Sequence, residues 1–385
     1  MESDTVIIHY NEIGLKGDNR PYFEKILVEN IRSAVNTKNF NHVKRLPGRI
    51  IMKLNKNAKL KEVETGLKST FGVSSFSFGF ECDQTIKAIS DTVFSEMKKR
   101  KFSTFAISTK RAKKEFKYNS KQINEKIGDH IRIKLKKKVN LSKPDLTAHI
   151  EIVNKQAFVY FDSIPGLNGL PIGCSGRALV MLSGGIDSPA AAFKMMSRGL
   201  HLDFVHFHSY PITNKRSIEK VIRIVKELRK YQNSCRLYLI PFADLQKLIV
   251  SETPDKFRII LYRRAMIKLA NTLSKKTKSA VLVTGESVGQ VASQTIENIK
   301  VIEAASFIPI LRPLIGLDKN EIIAIATKIG TYDISIEPDE DCCSLFVPKH
   351  PETRAKLKPI EEIETFFDGD SLLEETLNKI EIKRF

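Results

Sequence analysis

Residues 177–199, RALVMLSGGIDSPAAAFKMMSRG, constrain the fold more than any other stretch. An apolar run of strand length meets two adjacent glycines, then an alanine-rich helical segment that ends at Gly199. The same rhythm continues downstream. LDFVHFHS reads as a strand, KRSIEKVIRIVKELRKYQ as a helix and RLYLIPF as a strand. KFRIILYRRAMIKLANTLSKK follows as a long helix and AVLVTGES as a strand. Strands alternating with helices predict an α/β class with a doubly wound parallel sheet. Ligands of such sheets sit beyond the carboxyl ends of the strands, where the strand order reverses. The residues just after each strand are therefore the candidates for function.

The part before residue 166 reads differently. VIIHY and RIIMKLN are strand-like and alternate with helical stretches, which predicts a small α+β unit of about 75 residues. TIKAISDTVFSEMKKR follows as an amphipathic helix, TFAISTKR as a strand, NSKQINEKIGDHIRIKLKK as a helix and LTAHIEIVNKQAFVYF as a hairpin. GLNGLPIGCSG, residues 166–176, is rich in Gly and Pro and reads as a linker.

Charge separates the segments further. The chain carries +19 overall. Residues 98–143 hold 17 Lys/Arg against 3 Asp/Glu, whereas residues 361–385 hold 3 against 8. A solvated face or a disordered basic tail is the alternative. The block is interleaved with Phe102, Phe105, Ile107, Phe116, Tyr118 and Ile123, as a folded segment would be. It is the electrostatic footprint expected of a nucleic-acid binder. No apolar run reaches the ~20 residues of a membrane helix, and the start lacks a signal-peptide pattern. Five cysteines with no CxxC suit a reduced compartment, so a cytoplasmic location and no membrane are expected. No four-ligand metal spacing is visible.

The loop SGGIDSP is the sharpest chemical signal. Gly184 and Gly185 are expected to allow a tight turn that exposes backbone N–H groups. Ser188 is expected to cap the following helix, and Pro189 to take its first position. The product is a cup of amides at a helix N-terminus, suited to phosphate. It is neither a Walker A loop nor G-x-G-x-x-G.

This loop resembles the PP-loop of ATP pyrophosphatases, which transfer AMP to a carbonyl oxygen before a nucleophile displaces it. TFAISTKRAKKEFKYNSKQIN, PDLTAHIEI and AFVYFDSIPGLNGLPIG resemble a THUMP RNA-binding domain, and YNEIGLKGDNRPYFE the ferredoxin-like element that precedes it. With LSGGIDSP behind both, the chain from about residue 5 to at least 356 resembles the tRNA 4-thiouridine synthetases. These tRNA sulfurtransferases are also linked to thiamine thiazole synthesis. The layout implied is 1–75 ferredoxin-like, 76–165 THUMP, 166–176 linker and 177–385 PP-loop domain.

The resemblance implies a site residue by residue. The nucleotide falls to Met181, Leu182, Ser183, Gly184, Gly185, Asp187 and Ser188, with His206, Phe207, Arg263, Gly285 and Gln294. Asp187 is implied to help hold Mg²⁺ or to orient the loop, so ATP and Mg²⁺ are the expected cofactors. Four of these residues have plainer readings: His206 as a core histidine, Arg263 as a surface cation, Gly285 as a turn and Gln294 as a helix-facing polar group. Lys110, Arg111, Lys113 and Lys114 are the candidate tRNA contacts.

The family's sulfur-carrying cysteine falls on Cys342 in DEDCCSLF, with Cys343 as a second thiol in reach. Adjacent cysteines rarely bridge each other, and thiolate is a strong nucleophile. The neighbouring carboxylates argue against a low thiol pKa, and a pair of packing cysteines is the alternative. Some members carry a C-terminal rhodanese domain; with 42 residues after Cys343 none is expected here. The sulfur relay would then use Cys343, Cys174 or Cys235, a cysteine desulfurase or another persulfide donor. Transfer to a sulfur-carrier protein and a homodimer both fit the resemblance. Two other readings stay open. One is an Fe–S-dependent tRNA thiolase, whose cluster spacings are not seen. The other is a THUMP RNA-binding protein with a decayed catalytic half, against which the intact SGGIDSP, Arg263 and Cys342 argue.

Overall fold

The computed structural model describes residues 3–112, 116–338, 346, 348–365 and 369–385. Two compact units meet in sequence at Pro171 and Ile172.

The first unit is built on one sheet. Its elements are β1 (Thr5–His9), α1 (Arg20–Ala34), β2 (Phe40–Leu46), β3 (Arg49–Leu54), α2 (Leu60–Lys68) and β4 (Ser75–Asp83), then α3 (Ile86–Met97), β5 (Thr104–Arg111), α4 (Ser120–Leu135), β6 (Lys138–Val139), β7 (Leu146–Val153), β8 (Gln156–Tyr160) and β9 (Ile164–Pro165). The strand order is β2-β3-β1-β4-β8-β7-β5-β6, with β9 also on β4. β4 pairs with β1 on one side and β8 on the other. The boundary read at 75/76 therefore falls at the first residue of a strand that both halves share. Separate apolar clusters lie under α1–α2 and under α3–α4.

One buried polar group ties the halves together. Glu151 on β7 accepts from Tyr160 Oη on β8 at 2.8 Å, pairs with His9 Nε2 at the end of β1 at 2.9 Å, and pairs with Arg49 at the start of β3. Burial pushes the Glu151 carboxyl up. The hydrogen bond and charge of His9, the charge of Arg49 and the Tyr160 hydroxyl outweigh it and hold the group at about 2.

The stretch 166–176 is not a free linker. Gly166 N–H donates to Ser74 and Asn168 accepts from Gly72 N–H, whereas Gly173 and Ser175 both donate to Gly199. Backbone hydrogen bonds thus anchor its two ends to different units.

The second unit runs β10 (Arg177–Met181), α5 (Asp187–Ser197), β11 (His201–His208), α6 (Arg216–Leu228), β12 (Arg236–Pro241), α7 (Ala243–Glu252), α8 (Arg258–Thr277) and β13 (Val281–Val283). It continues with α9 (Ile296–Glu303), β14 (Ile310–Leu311), α10 (Lys319–Lys328), α11 (Tyr332–Ser335), α12 (Leu357–Thr365), α13 (Gly369–Asn378) and β15 (Glu381–Arg384). The order is β14-β13-β10-β11-β12-β15, parallel except for β15. Alternate residues explain burial on both faces. Leu179 and Val205 join the α7–α8 core, and the intervening Val180 and Phe204 are equally buried on the other face. β15, read as part of a helix-like acidic tail, is instead an edge strand on β12.

Candidate active site

From β10, the chain proceeds to β11 and β12 on one side and to β13 and β14 on the other. The strand order therefore reverses between β10 and β13. A cavity opens at their carboxyl ends, where ligands of doubly wound sheets bind.

Its walls gather most of the expected nucleotide residues. Met181, Leu182, Ser183, Asp187 and Ser188 come from the end of β10 and the start of α5. His206 and Phe207 come from β11, Arg263 from α8, and Gly285 and Gln294 from the segment after β13. Gly184 and Gly185 lie in the loop but not in the wall. Neither has a positive φ, and a Cβ on Gly185 would meet only Ser183 Oγ, at 3.7 Å. At Gly185 neither the backbone conformation nor a neighbouring atom excludes a side chain, whereas Gly184 is buried.

Ser188 does not cap α5. The helix begins one residue earlier, at Asp187, and Ser188 is buried. Its hydroxyl accepts from Ser183 N–H at 2.9 Å and lies 3.1 Å from Ser183 Oγ, so it ties the two ends of the loop. Pro189 is accordingly the third helical residue rather than the first, still among the positions whose N–H has no intrahelical partner.

Asp187 is held from two sides. Lys319 Nζ reaches Oδ1 and Gln290 Nε2 donates to Oδ2, each at 3.0 Å. A capping box between Asp318 and Glu321 starts α10 beside Lys319 and fixes where that cation emerges. A single carboxylate beside bound phosphates suits magnesium, which keeps most of its waters. In this arrangement Lys319 supplies the positive charge at that carboxylate.

His206 is buried, and its Nδ1 lies 2.9 Å from the Leu182 carbonyl. A carbonyl only accepts, so Nδ1 carries the hydrogen. The neighbouring arginines of α8 serve different ends. Arg263 lines the cavity, whereas buried Arg264 pairs with Glu364 through two bonds of 2.8 and 2.9 Å. Gln294 is buried and accepts from Ser287 N–H at 3.4 Å, which braces the loop after β13.

Three wall residues were not anticipated: Met266, Thr284 and Glu286. The last two flank Gly285 in TGES, so their place at a strand end was readable. Lys319 and Gln290 carried no local signal; each reaches Asp187 only through the fold.

The basic segment divides as well. Lys110 is exposed, whereas Arg111 donates to the carbonyls of Phe116 and Tyr118 at 3.4 and 3.0 Å and so fastens a turn. Lys113, Lys114, Cys342 and Cys343 lie outside the described residues. Burial pushes the thiols of Cys82 and Cys235 up to about 11, which makes Cys235 a poor relay for sulfur. Cys174 is partly exposed. Among the described residues no helix is long and apolar enough to cross a membrane, and no group of three or more His, Cys, Asp or Glu is placed to hold a metal ion.

A doubly wound sheet with a strand-to-helix loop and a cavity at its switch point, preceded by an α+β unit, is the architecture of a nucleotide-using enzyme with an appended module. Comparison specifies it. The family profile for the thiamine biosynthesis protein (ThiI) matches residues 173–368, the ThiI ferredoxin-like domain residues 5–77 and the THUMP domain residues 82–162. A "Probable tRNA sulfurtransferase" of Caldanaerobacter subterraneus is 42% identical over 96% of this chain and 97% of its own. One from Moorella thermoacetica is 40% identical over 98% and 97%. A crystal structure of a 4-thiouridine synthetase–RNA complex with bound ATP matches with a TM-score of 0.89 at 35% identity, covering all of both chains. The chain belongs to the ThiI family of tRNA sulfurtransferases.

Proposed function

We propose that this chain is an ATP-dependent tRNA sulfurtransferase that converts a tRNA uridine, the one at position 8, to 4-thiouridine. The uracil O4 attacks the α-phosphate of ATP and pyrophosphate leaves. The terminal sulfur of a cysteine persulfide then attacks C4 and AMP leaves. A second thiol attacks the carrier cysteine's sulfur, and the S–S bond breaks with its electron pair going to the sulfur on C4. The disulfide left on the protein is reopened by an external thiol reductant. The observation that carries this reading is the switch-point cavity, in which the PP-loop, His206–Phe207, Arg263 and Gly285 converge.

Each residue then has a role. The loop amides and the N-terminus of α5 hold the phosphates. Arg263 faces charge that develops as pyrophosphate departs. Met181, Phe207 and Met266 offer an apolar wall to the adenine. Asp187 would hold Mg²⁺, which would offset phosphate charge when bound. Lys110 and the exposed cations of α4 would contact tRNA phosphates. Cys342 is the sulfur-bearing nucleophile and Cys343 its auxiliary; a cysteine desulfurase or another persulfide donor loads them. Delivery of sulfur to a carrier protein for thiazole synthesis would use the same thiols. The enzyme would work in the cytoplasm, where its tRNA is.

The test is mass spectrometry of tRNA nucleosides after incubation with ATP, Mg²⁺ and a persulfide donor. 4-Thiouridine appearing only when all are present supports the reading. ATP consumption without any thiolated nucleoside would overturn it.

A further inference from the structure

Joining the uracil O4 to phosphorus needs one more event than phosphate binding supplies. The neutral base carries a hydrogen on N3, and the O4-adenylated base has a C4–N3 double bond and none. As the O4–P bond forms, the bond from the α-phosphorus to the β-bridging oxygen breaks. Pyrophosphate leaves with that electron pair, and N3 must give up its proton. A base held beside N3 accelerates such a step.

Four titratable side chains line the cavity: Asp187, His206, Arg263 and Glu286. Arg263 is always protonated. Asp187 has both oxygens engaged, by Lys319 and Gln290. His206 would become a second buried cation near Arg263 on taking a proton, which burial opposes. A carboxylate becomes neutral instead.

Glu286 is the carboxylate placed for this. It is 4% exposed, and both its hydrogen bonds fall on one oxygen: Thr284 Oγ1 donates to Oε2 at 3.0 Å and Arg312 Nε at 2.7 Å. Oε1 takes no hydrogen bond among the described residues. Arg312 is itself steadied by Glu303 at 3.0 Å. The clamp fixes the carboxylate and leaves its other oxygen to the cavity.

We propose that Glu286 is the proton acceptor of the adenylation step, its Oε1 taking the N3 proton as O4 attacks the α-phosphorus; this rests on the function proposed above. Glu286→Gln keeps an acceptor for Arg312 and Thr284 but cannot hold that proton. Its ATP affinity, measured by calorimetry, should match wild type. Its single-turnover pyrophosphate release with tRNA should fall on the order of 100-fold. Fluorine at C5 of uracil makes N3–H more acidic. A tRNA transcript made with 5-fluorouridine should therefore restore much of the variant's rate and change the wild-type rate little. If Glu286→Gln does not fold, Glu286→Asp withdraws the carboxylate by one methylene and should show the same pattern. Full pyrophosphate release by the variant, a parallel loss of ATP affinity, repair by added Mg²⁺, or no rescue by the fluorinated transcript would each overturn the proposal. If the wild type releases no pyrophosphate with tRNA, the adenylation reading itself fails, which is a distinct result.

Discussion

Gly285 stands directly against Ser188. A Cβ built on Gly285 would lie 2.6 Å from the Ser188 backbone nitrogen and 2.7 Å from the Asp187 carbonyl carbon. The strand end after β13 thus packs on the first turn of α5, beside the SGGIDSP loop. Gly285→Ala must push these backbones apart at a cost of about 1–3 kcal/mol. ATP affinity should drop by about fivefold or more, since 1.4 kcal/mol is one decade. Calorimetry with ATP, beside a denaturant melt, checks this; an unchanged dissociation constant would remove Gly285 from the site.

Asp187→Ala should abolish pyrophosphate release while tRNA affinity stays near wild type. The carboxylate joins Lys319 and Gln290 to the loop, and the basic segment belongs to the other unit. Release at the wild-type rate would show that Asp187 has no part in activation.

Binding of tRNA should weaken steeply with salt, because each neutralised phosphate releases counterions. Replacing Lys110, Arg111, Lys113 and Lys114 together with Ala should flatten the slope of log affinity against log salt by about 0.9 for each phosphate no longer neutralised. The single variants should differ. Lys110→Ala should leave the melting temperature unchanged, whereas Arg111→Ala should lower it, because Arg111 holds the carbonyls of Phe116 and Tyr118. Equal melting temperatures would show that this fastening contributes nothing.

The buried Glu151 group makes stability depend on pH in a stated direction. Its pKa in the folded chain is about 2, against 4.5 for the ordinary carboxyl. A depressed folded pKa contributes stability that is present above the unfolded value and is lost as pH falls. Melts should therefore show destabilisation as pH drops from about 4.5 toward 2, and Glu151→Gln should reduce that slope. The same slope in both proteins would assign the acid sensitivity elsewhere.

Cys342→Ser should stop thiolation yet let adenylated tRNA accumulate, since activation needs no thiol. Cys343→Ser should slow turnover, and added reductant or sulfide should relieve the defect. Mass spectrometry of the tRNA distinguishes these outcomes. Full thiolation by both variants would mean the pair is structural.

The parallel core was legible because β10, β11 and β12 are apolar runs separated by amphipathic helices. The strand-to-helix turn at SGGIDSP was legible because the segment follows an apolar run and precedes an alanine-rich helical stretch. What escaped had physical reasons. β2 is an edge strand with only Val43 and Leu46 buried, so its alternation is faint. β15 is four largely exposed residues whose strand character comes from pairing with β12. Ser188 looked like a helix cap by residue type, but its hydroxyl went to Ser183 because the loop closes on itself. Lys319 reaches Asp187 across 132 positions of sequence, a distance no local pattern spans.

The strand β4 bears on how such chains can be inherited and dissected. The ferredoxin-like match stops at residue 77 and the THUMP match starts at 82, both inside Ser75–Asp83. Recombination or proteolysis at that point would split a strand hydrogen-bonded on both sides. Each fragment would be left with an open edge that invites aggregation. The two recognisable segments therefore share one continuous sheet in this chain. A fragment meant to retain RNA affinity should run through β9, and no shorter piece should fold cooperatively.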